Sequence, residues 1–175
     1  MTSETPSSQD ERLAEYLRRY QATLGDGLGF GVHGSVFVVQ RQREDGLVRS
    51  AVKFHEHWEP YCHERDVYLR LRDVGVFEVC GHAVPELLHY DDELWVLEMT
   101  IVKRPFVLDF GGAYLDRRPD YPKSVMRRWR AEKRWQFGAN WPKAQVILFA
   151  LEQHGIYVAD VNPGNIGFVD RADSE

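Results

Sequence analysis

The sequence predicts an α+β fold: an antiparallel sheet with one main helix, followed by a shorter, mostly helical part. Three observations predict it. Residues 29 to 55 run from a glycine-rich stretch through "SVFVVQRQ", the turn "REDGL" and "VRSAVKFH", a strand–turn–strand pattern. "YCHERDVYLRLRDVG" places Tyr61, Glu64, Tyr68 and Leu71 on one helical face, with Gly75 to end the helix. Further on, "SVMRRWRAEKRWQFG" and "PKAQVILFALEQHG" read as two more helices, the second mostly apolar.

Composition narrows the class. The chain has 175 residues, 43% hydrophobic and 13% aromatic, enough for one globular domain with a real core. No apolar run approaches the roughly 20 residues that cross a bilayer. The longest, "AQVILFAL", suits a buried helix. The opening "MTSETPSSQDE" is polar and acidic, without a signal-peptide pattern. Two cysteines, Cys62 and Cys80, make no disulfide framework, so a cytoplasmic location is expected. Net charge is −5, yet residues 103–134 hold ten Lys/Arg and only four Asp/Glu. That segment is either a solvated helix face or a surface for an acidic partner.

The elements follow in order. Residues 1–9 read as a flexible tail, rich in Ser, Thr and Pro. Residues 10–22 read as an N-terminal helix, with Leu13, Tyr16, Leu17 and Tyr20 on one face and Asp10 as its cap. Residues 23–100 hold the sheet and the helix at 61–75, with "AVPELLHYDDELWVLEMTIV" as two short strands around a "YDDE" turn. Residues 101–175 form the reduced helical part: an irregular, proline-bearing stretch to about 122, the two helices, then "IYV", the loop "ADVNPGN" and the strand "IGFV".

"GFGVHGSVF" fits G-x-G-x-x-G-x-V through Gly29, Gly31, Gly34 and Val36. Such a pattern cradles phosphates in two unrelated ways. A dinucleotide fold needs a helix directly after its glycines. "SVFVVQ" has no helical period and few helix formers, which argues for a lid made of two strands instead.

Lys53 on the next strand, Glu64 on the helix, then Asp160 and Asn165 in "DVNPGN" complete an order that resembles the protein kinase superfamily, over roughly residues 24–169. "GFGVHGSV" is similar to its glycine-rich loop, "SAVKF" to its lysine strand, "WVLEMTIV" to its hinge and "DVNPGN" to its D-x-x-x-x-N catalytic loop. The resemblance implies a protein-kinase-like fold using ATP and Mg²⁺. Gly29, Gly31 and Gly34 would approach the phosphates. Val36 and Ala51 would pack on the adenine, with Leu97 as the wall behind. Backbone groups near Glu98 and Thr100 would bind its edge. Lys53, neutralised by Glu64, would hold the α- and β-phosphates. Asp160 would take the acceptor's proton, and Asn165 would bind Mg²⁺.

Each role has a plainer alternative. Lys53 alternates with Val52 and Phe54 and would serve as an outward lysine. Glu64 would serve as a surface acid. "DVNPGN" would be a turn and nothing more.

Three departures from the family pattern matter. Val158 and Ala159 stand where it has histidine and arginine, so phosphorylation-loop regulation is not expected and the loop must be held by something else. The sequence ends at Glu175, with no D-F-G, activation loop or further helices after the loop. Asp170 is then the remaining candidate for a second metal ligand, but four strand residues would carry it about 13 Å from Asn165. A "DFG" does occur at Asp109–Gly111, before the loop instead of after it. It reads as a turn opening the second part; the alternative is that Asp109 reaches the ribose or the metal.

Three functions stay open. One is an ATP-dependent phosphotransferase acting on a hydroxyl, of protein Ser/Thr or of a small molecule. Another is a nucleotide-binding pseudokinase or scaffold without turnover. The third is a binding module using residues 103–134, with Trp129, Trp135 and Trp141 packing that helical region or stacking on bases. Nucleic acid and membrane are not expected partners. His55, His57, Cys62 and His63 lie close in sequence, but their spacing fits no familiar zinc finger.

Overall fold

The computed structural model describes residues 8–31, 34–44 and 46–169. Asp170 and most of the expected N-terminal tail lie outside the described residues. The architecture is mixed α+β with largely antiparallel sheets. The chain divides into two compact units, residues 1–61 with 87–101, and residues 62–86 with 102–175.

The first unit is a five-stranded antiparallel sheet in the order β1-β2-β3-β7-β6, made of β1 Thr23–Gly31, β2 Gly34–Arg43, β3 Gly46–His55, β6 Leu87–Asp91 and β7 Val96–Met99. β2 follows the glycines directly, as the lid reading expects, and pairs along its whole length with β3, from Gly34↔His55 to Arg43↔Gly46. Side chains alternate across a strand. Val39, Val52, Phe54 and Val96 therefore fall on one face, where Tyr16 and Ala22 join them in a buried cluster with Leu13 and Leu17 packed against it.

The helix covering that face is α1, Gln9–Arg19. Its cap is Ser8, not Asp10. The Ser8 hydroxyl accepts from the Glu11 backbone N–H, and the Glu11 side chain accepts from the Ser8 N–H. This reciprocal pair satisfies two otherwise orphaned donors. Asp10 instead lies in the first turn, where a negative charge favours the helix dipole. Arg12 is 4% exposed and bolts α1 to the sheet, donating to the carbonyls of His55 (2.8 Å) and Leu94 (3.0 Å).

The helix α2, Trp58–Asp73, starts at the edge of the first unit and continues in the second. It begins three residues before the sequence pattern does. Tyr61, Glu64, Tyr68 and Leu71 are all buried, as the helical spacing requires. Gly75 ends it with φ +69°.

The second unit holds α3 Lys123–Phe137, α4 Trp141–Glu152 and six short strands. β4 Glu78–Val79, β5 His82–Ala83, β8 Phe106–Val107 and β11 Ile166–Gly167 make a sheet in the order β11-β8-β5-β4. β9 Ala113–Leu115 pairs with β10 Ile156–Val158. The supposedly irregular stretch after residue 101 thus contains two strands. Arg70 on α2 forks onto Asp116 just after β9 (2.9 and 2.7 Å) and also donates to the His154 carbonyl (3.1 Å), fastening α2 to this frame.

α4 differs from expectation. Ala144, Ile147 and Leu151 are buried, but Val146 and Phe149 are 57% and 63% exposed, so its apolar run serves an inner and an outer face. Trp135 also differs: it is 83% exposed. The inward residues of α3, Trp129, Lys133 and Phe137, recur every four, whereas Trp135 stands about 200° around the helix from Lys133. No described helix is long and apolar enough to cross a membrane.

Candidate functional site

The first unit presents one group of candidates on a single sheet face, opposite α1. Val36 and Leu97 are the register partners of Lys53, Met99 is the partner of Ala51, and Gly29 is the partner of Val36. The parity of the ladder puts Val36, Ala51, Lys53 and Leu97 together. Lys53 is only 5% exposed, so it is not an ordinary outward lysine. A buried ammonium is tolerated only with compensating negative charge or hydrogen bonds. Gly34 is required by packing: its φ is +150°, and a Cβ there would lie 2.0 Å from the Phe54 carbonyl oxygen. Gly31 pairs with Gly34 where β1 meets β2.

Glu98 points to the other face. Its carboxylate accepts hydrogen bonds from Tyr16 Oη (2.7 Å), Ser50 Oγ (2.5 Å) and Arg41, and Arg41 also donates to Tyr16 Oη (2.9 Å). Burial alone would raise its pKa, but the bonds from Arg41, Ser50 and Tyr16 outweigh it and hold the carboxyl below its ordinary value. The same burial, with the neighbouring carboxylate, pushes the Tyr16 phenol up. The Glu98 side chain is thus committed to the α1–sheet junction, and its backbone remains the candidate for an adenine edge. Thr100 follows β7 and is partly exposed.

The second unit assembles the remaining candidates around the loop 159–165. Strands β10 and β11 bracket it, and each has a partner from the segment 106–115: Val107 pairs with Ile166, and Ala113 with Val158. Leu108 N–H donates to the Asn165 carbonyl (2.9 Å), and Ala159 N–H to the Gly112 carbonyl (3.4 Å). The "DFG" at Asp109–Gly111 therefore lies alongside the loop. It leads into a turn at Gly111 and Gly112, with Asp109 at φ +63°, and the two strands that flank it pair with those that frame Asp160 and Asn165.

Packing keeps these parts close. A Cβ on Gly112 would approach the Asp160 Cβ to 2.8 Å. Phe110 is 1% exposed and meets the Tyr68 ring edge-on, centroids 5.3 Å apart. Burial first, then the charges of Glu64 and Asp109, push the Tyr68 phenol well above its ordinary pKa. Glu64 is 1% exposed and is not a surface acid. Asp160 is exposed.

Hydrogen bonds hold the loop. The Trp129 indole N–H donates to the Ala159 carbonyl (2.9 Å), the Asn165 amide nitrogen to the Asp160 carbonyl (3.2 Å), and the Gly164 N–H to Asn162 Oδ1 (2.8 Å). Because its nitrogen is engaged, Asn165 has its amide oxygen left as a donor for a cation. The sequence signal for Trp129 was its place among three tryptophans; nothing local tied it to residue 159.

Asp109 and Asn165 supply oxygen atoms, the donors Mg²⁺ prefers, and Mg²⁺ is commonly held by one or two such groups with phosphates and water completing its shell. Among the described residues, no three His, Cys, Asp or Glu side chains converge to hold a metal alone. His55, one of the four expected near a zinc, is fully buried with its ring edge-on to Tyr61. Compared with known proteins, the chain matches no family model and no curated relative.

Proposed function

We propose that the protein is an ATP-dependent phosphotransferase of protein-kinase-like fold, acting in the cytoplasm, in which Asp109 takes the metal-binding role that chain order alone would give to Asp170. The observation that carries this reading is the double pairing of residues 106–115 with the two strands around "ADVNPGN", which runs the backbone at Asp109 alongside the loop that holds Asp160 and Asn165. The sheet order β1-β2-β3-β7-β6, with α2 between β3 and β6, supports it, as do the buried Lys53 and Glu64. Two cysteines in 175 residues, Cys62 and Cys80, make no disulfide framework, which suits a reducing compartment.

In this reading Lys53 binds the α- and β-phosphates and Glu64 balances its charge. Asp109 and Asn165 hold Mg²⁺, which would neutralise charge on the transferring phosphoryl group. Asp160 accepts the hydroxyl proton. Trp129 and the turn at Asn162 keep the loop in place.

Thermal unfolding with Mg-ATP tests this. Wild type rises in Tm, Lys53→Ala does not, and Asp160→Asn keeps the rise but loses turnover. An unchanged wild-type Tm sinks the proposal. A rise without ATP consumption by wild type selects the pseudokinase reading. The exposed Trp135, on a helix carrying Arg127, Arg128, Arg130 and Arg134, favours the third reading for that surface alone. It predicts salt-sensitive binding of an acidic partner that nucleotide does not alter.

A further inference from the structure

A cleft of about 620 Å³ lies wholly within the second unit, between α3, α4 and the end of β10. Its volume is that of a small-molecule site. Its wall includes Val158 and Ala159, the two residues directly before Asp160. The Ala159 carbonyl is also the atom that Trp129 holds, so α3 carries both a wall of the cleft and the support of the loop.

The lining is aromatic. Tyr121, Trp129, Trp141, Phe149 and Tyr157 all contribute. Trp129 and Trp141 meet edge-on at 6.0 Å. Flat rings at several angles suit a ligand that is itself a ring, since stacking and edge contacts add to plain burial. The charges cancel: Arg118 is paired with Glu152, and Arg130 and Asp120 complete two of each sign. Such a wall repels neither sign and attracts neither, so it disfavours phosphorylated or polycationic ligands relative to neutral ones. The exposure of Phe149 and Tyr121, 63% and 41%, is then the exposure of a binding wall.

We infer that this cleft is the acceptor site, and that it takes a neutral, ring-bearing alcohol of small-molecule size. The inference rests on the phosphotransfer reading above. The acceptor's ring lies among the aromatic residues and its hydroxyl beside Asp160. The hydroxyl oxygen forms a bond to the γ-phosphorus of ATP, the bond from that phosphorus to the β–γ bridging oxygen breaks, the proton passes to Asp160, and ADP leaves.

Binding is measured by tryptophan fluorescence without nucleotide, using 4-methylumbelliferyl β-D-glucoside, uridine and 2-phenylethanol as neutral ring alcohols. 4-Methylumbelliferyl phosphate and a serine heptapeptide are the charged and extended comparisons. At least one neutral alcohol is expected to bind saturably and at least tenfold tighter than either comparison. Phe149→Ser and Tyr121→Ser each weaken it about tenfold, while Val146→Ser, exposed on the same helix and outside the cleft, does not. The inference falls if no neutral alcohol binds, if the comparisons bind as well, or if Val146→Ser matches Phe149→Ser. Failure to bind with the Mg-ATP rise in Tm intact overturns the cleft assignment alone. Saturable binding with no such rise overturns the acceptor role together with the phosphotransfer reading.

Discussion

The backbone N–H of Leu108 donates to the carbonyl oxygen of Asn165 at 2.9 Å. That one bond sets Asp109, the next residue, beside the loop that carries Asp160. If Asp109 holds the metal, Asp109→Asn lowers turnover by about 100-fold or more, on the scale of altered metal sites. It also removes the Mg²⁺-dependent part of ATP binding, measurable by titrating ATP with and without Mg²⁺. Asp170→Asn is expected to cost far less. Equal losses in the two variants would count against Asp109.

Gly112 tests the packing of the loop. An added Cβ would lie 2.8 Å from the Asp160 Cβ, so one of the two backbones must move. Gly112→Ala is predicted to cost about 1–3 kcal/mol of stability. On the phosphotransfer reading it should lower kcat more than it weakens ATP binding, because the displaced residue is the proposed proton acceptor. Steady-state kinetics beside urea unfolding separate the two effects.

Glu98 gives the first unit a defined pH response. Its folded pKa lies below the unfolded value, about 4.3 for glutamate. The stabilisation is therefore complete above the unfolded pKa and is lost as pH falls through the folded one. Glu98→Gln also leaves Arg41 without its carboxylate, which costs about 2–4 kcal/mol at pH 7. The difference between wild type and Glu98→Gln should shrink steadily from about pH 5 towards pH 3. A constant difference across that range would remove Glu98 as the source.

Arg12 is the bolt of α1. Its guanidinium is buried and held by two carbonyls, and burial lowers its pKa. Arg12→Ala leaves both carbonyls without that donor and is predicted to cost about 2–4 kcal/mol. Arg12→Lys should rescue only part, since a single ammonium cannot reproduce the planar fork. Chemical denaturation followed by circular dichroism reports both.

Much of this was legible in the sequence because it is written in local periods. The face formed by Tyr61, Glu64, Tyr68 and Leu71 is a 3.6-residue pattern, and the β2–β3 hairpin follows from β-branched runs around a turn. Ser8 and Asp10 are both good caps, and only the reciprocal bond with Glu11 decides between them. The burial of Lys53 is not legible in the sequence, since strand alternation gives a face but not which face is covered. β8 and β9 were invisible: strands of two and three residues carry no period, and their partners stand far along the chain. The place of Asp109 depends on those strands, so no local pattern could reveal it. Tryptophan usually packs, and only the phase of α3 exposes Trp135.

The pairing of β8 with β11 and of β9 with β10 sets an order of assembly. Val107 waits for Ile166 and Ala113 for Val158, partners roughly fifty residues later, so closing them costs chain entropy before any contact repays it. The sheet of the first unit needs nothing beyond residue 101. During synthesis it can therefore form while Asp109 still has no companion. A chain ending anywhere between residues 120 and 155 would carry Lys53 in its sheet but lack β10 and β11, the strands that flank Asp160 and Asn165.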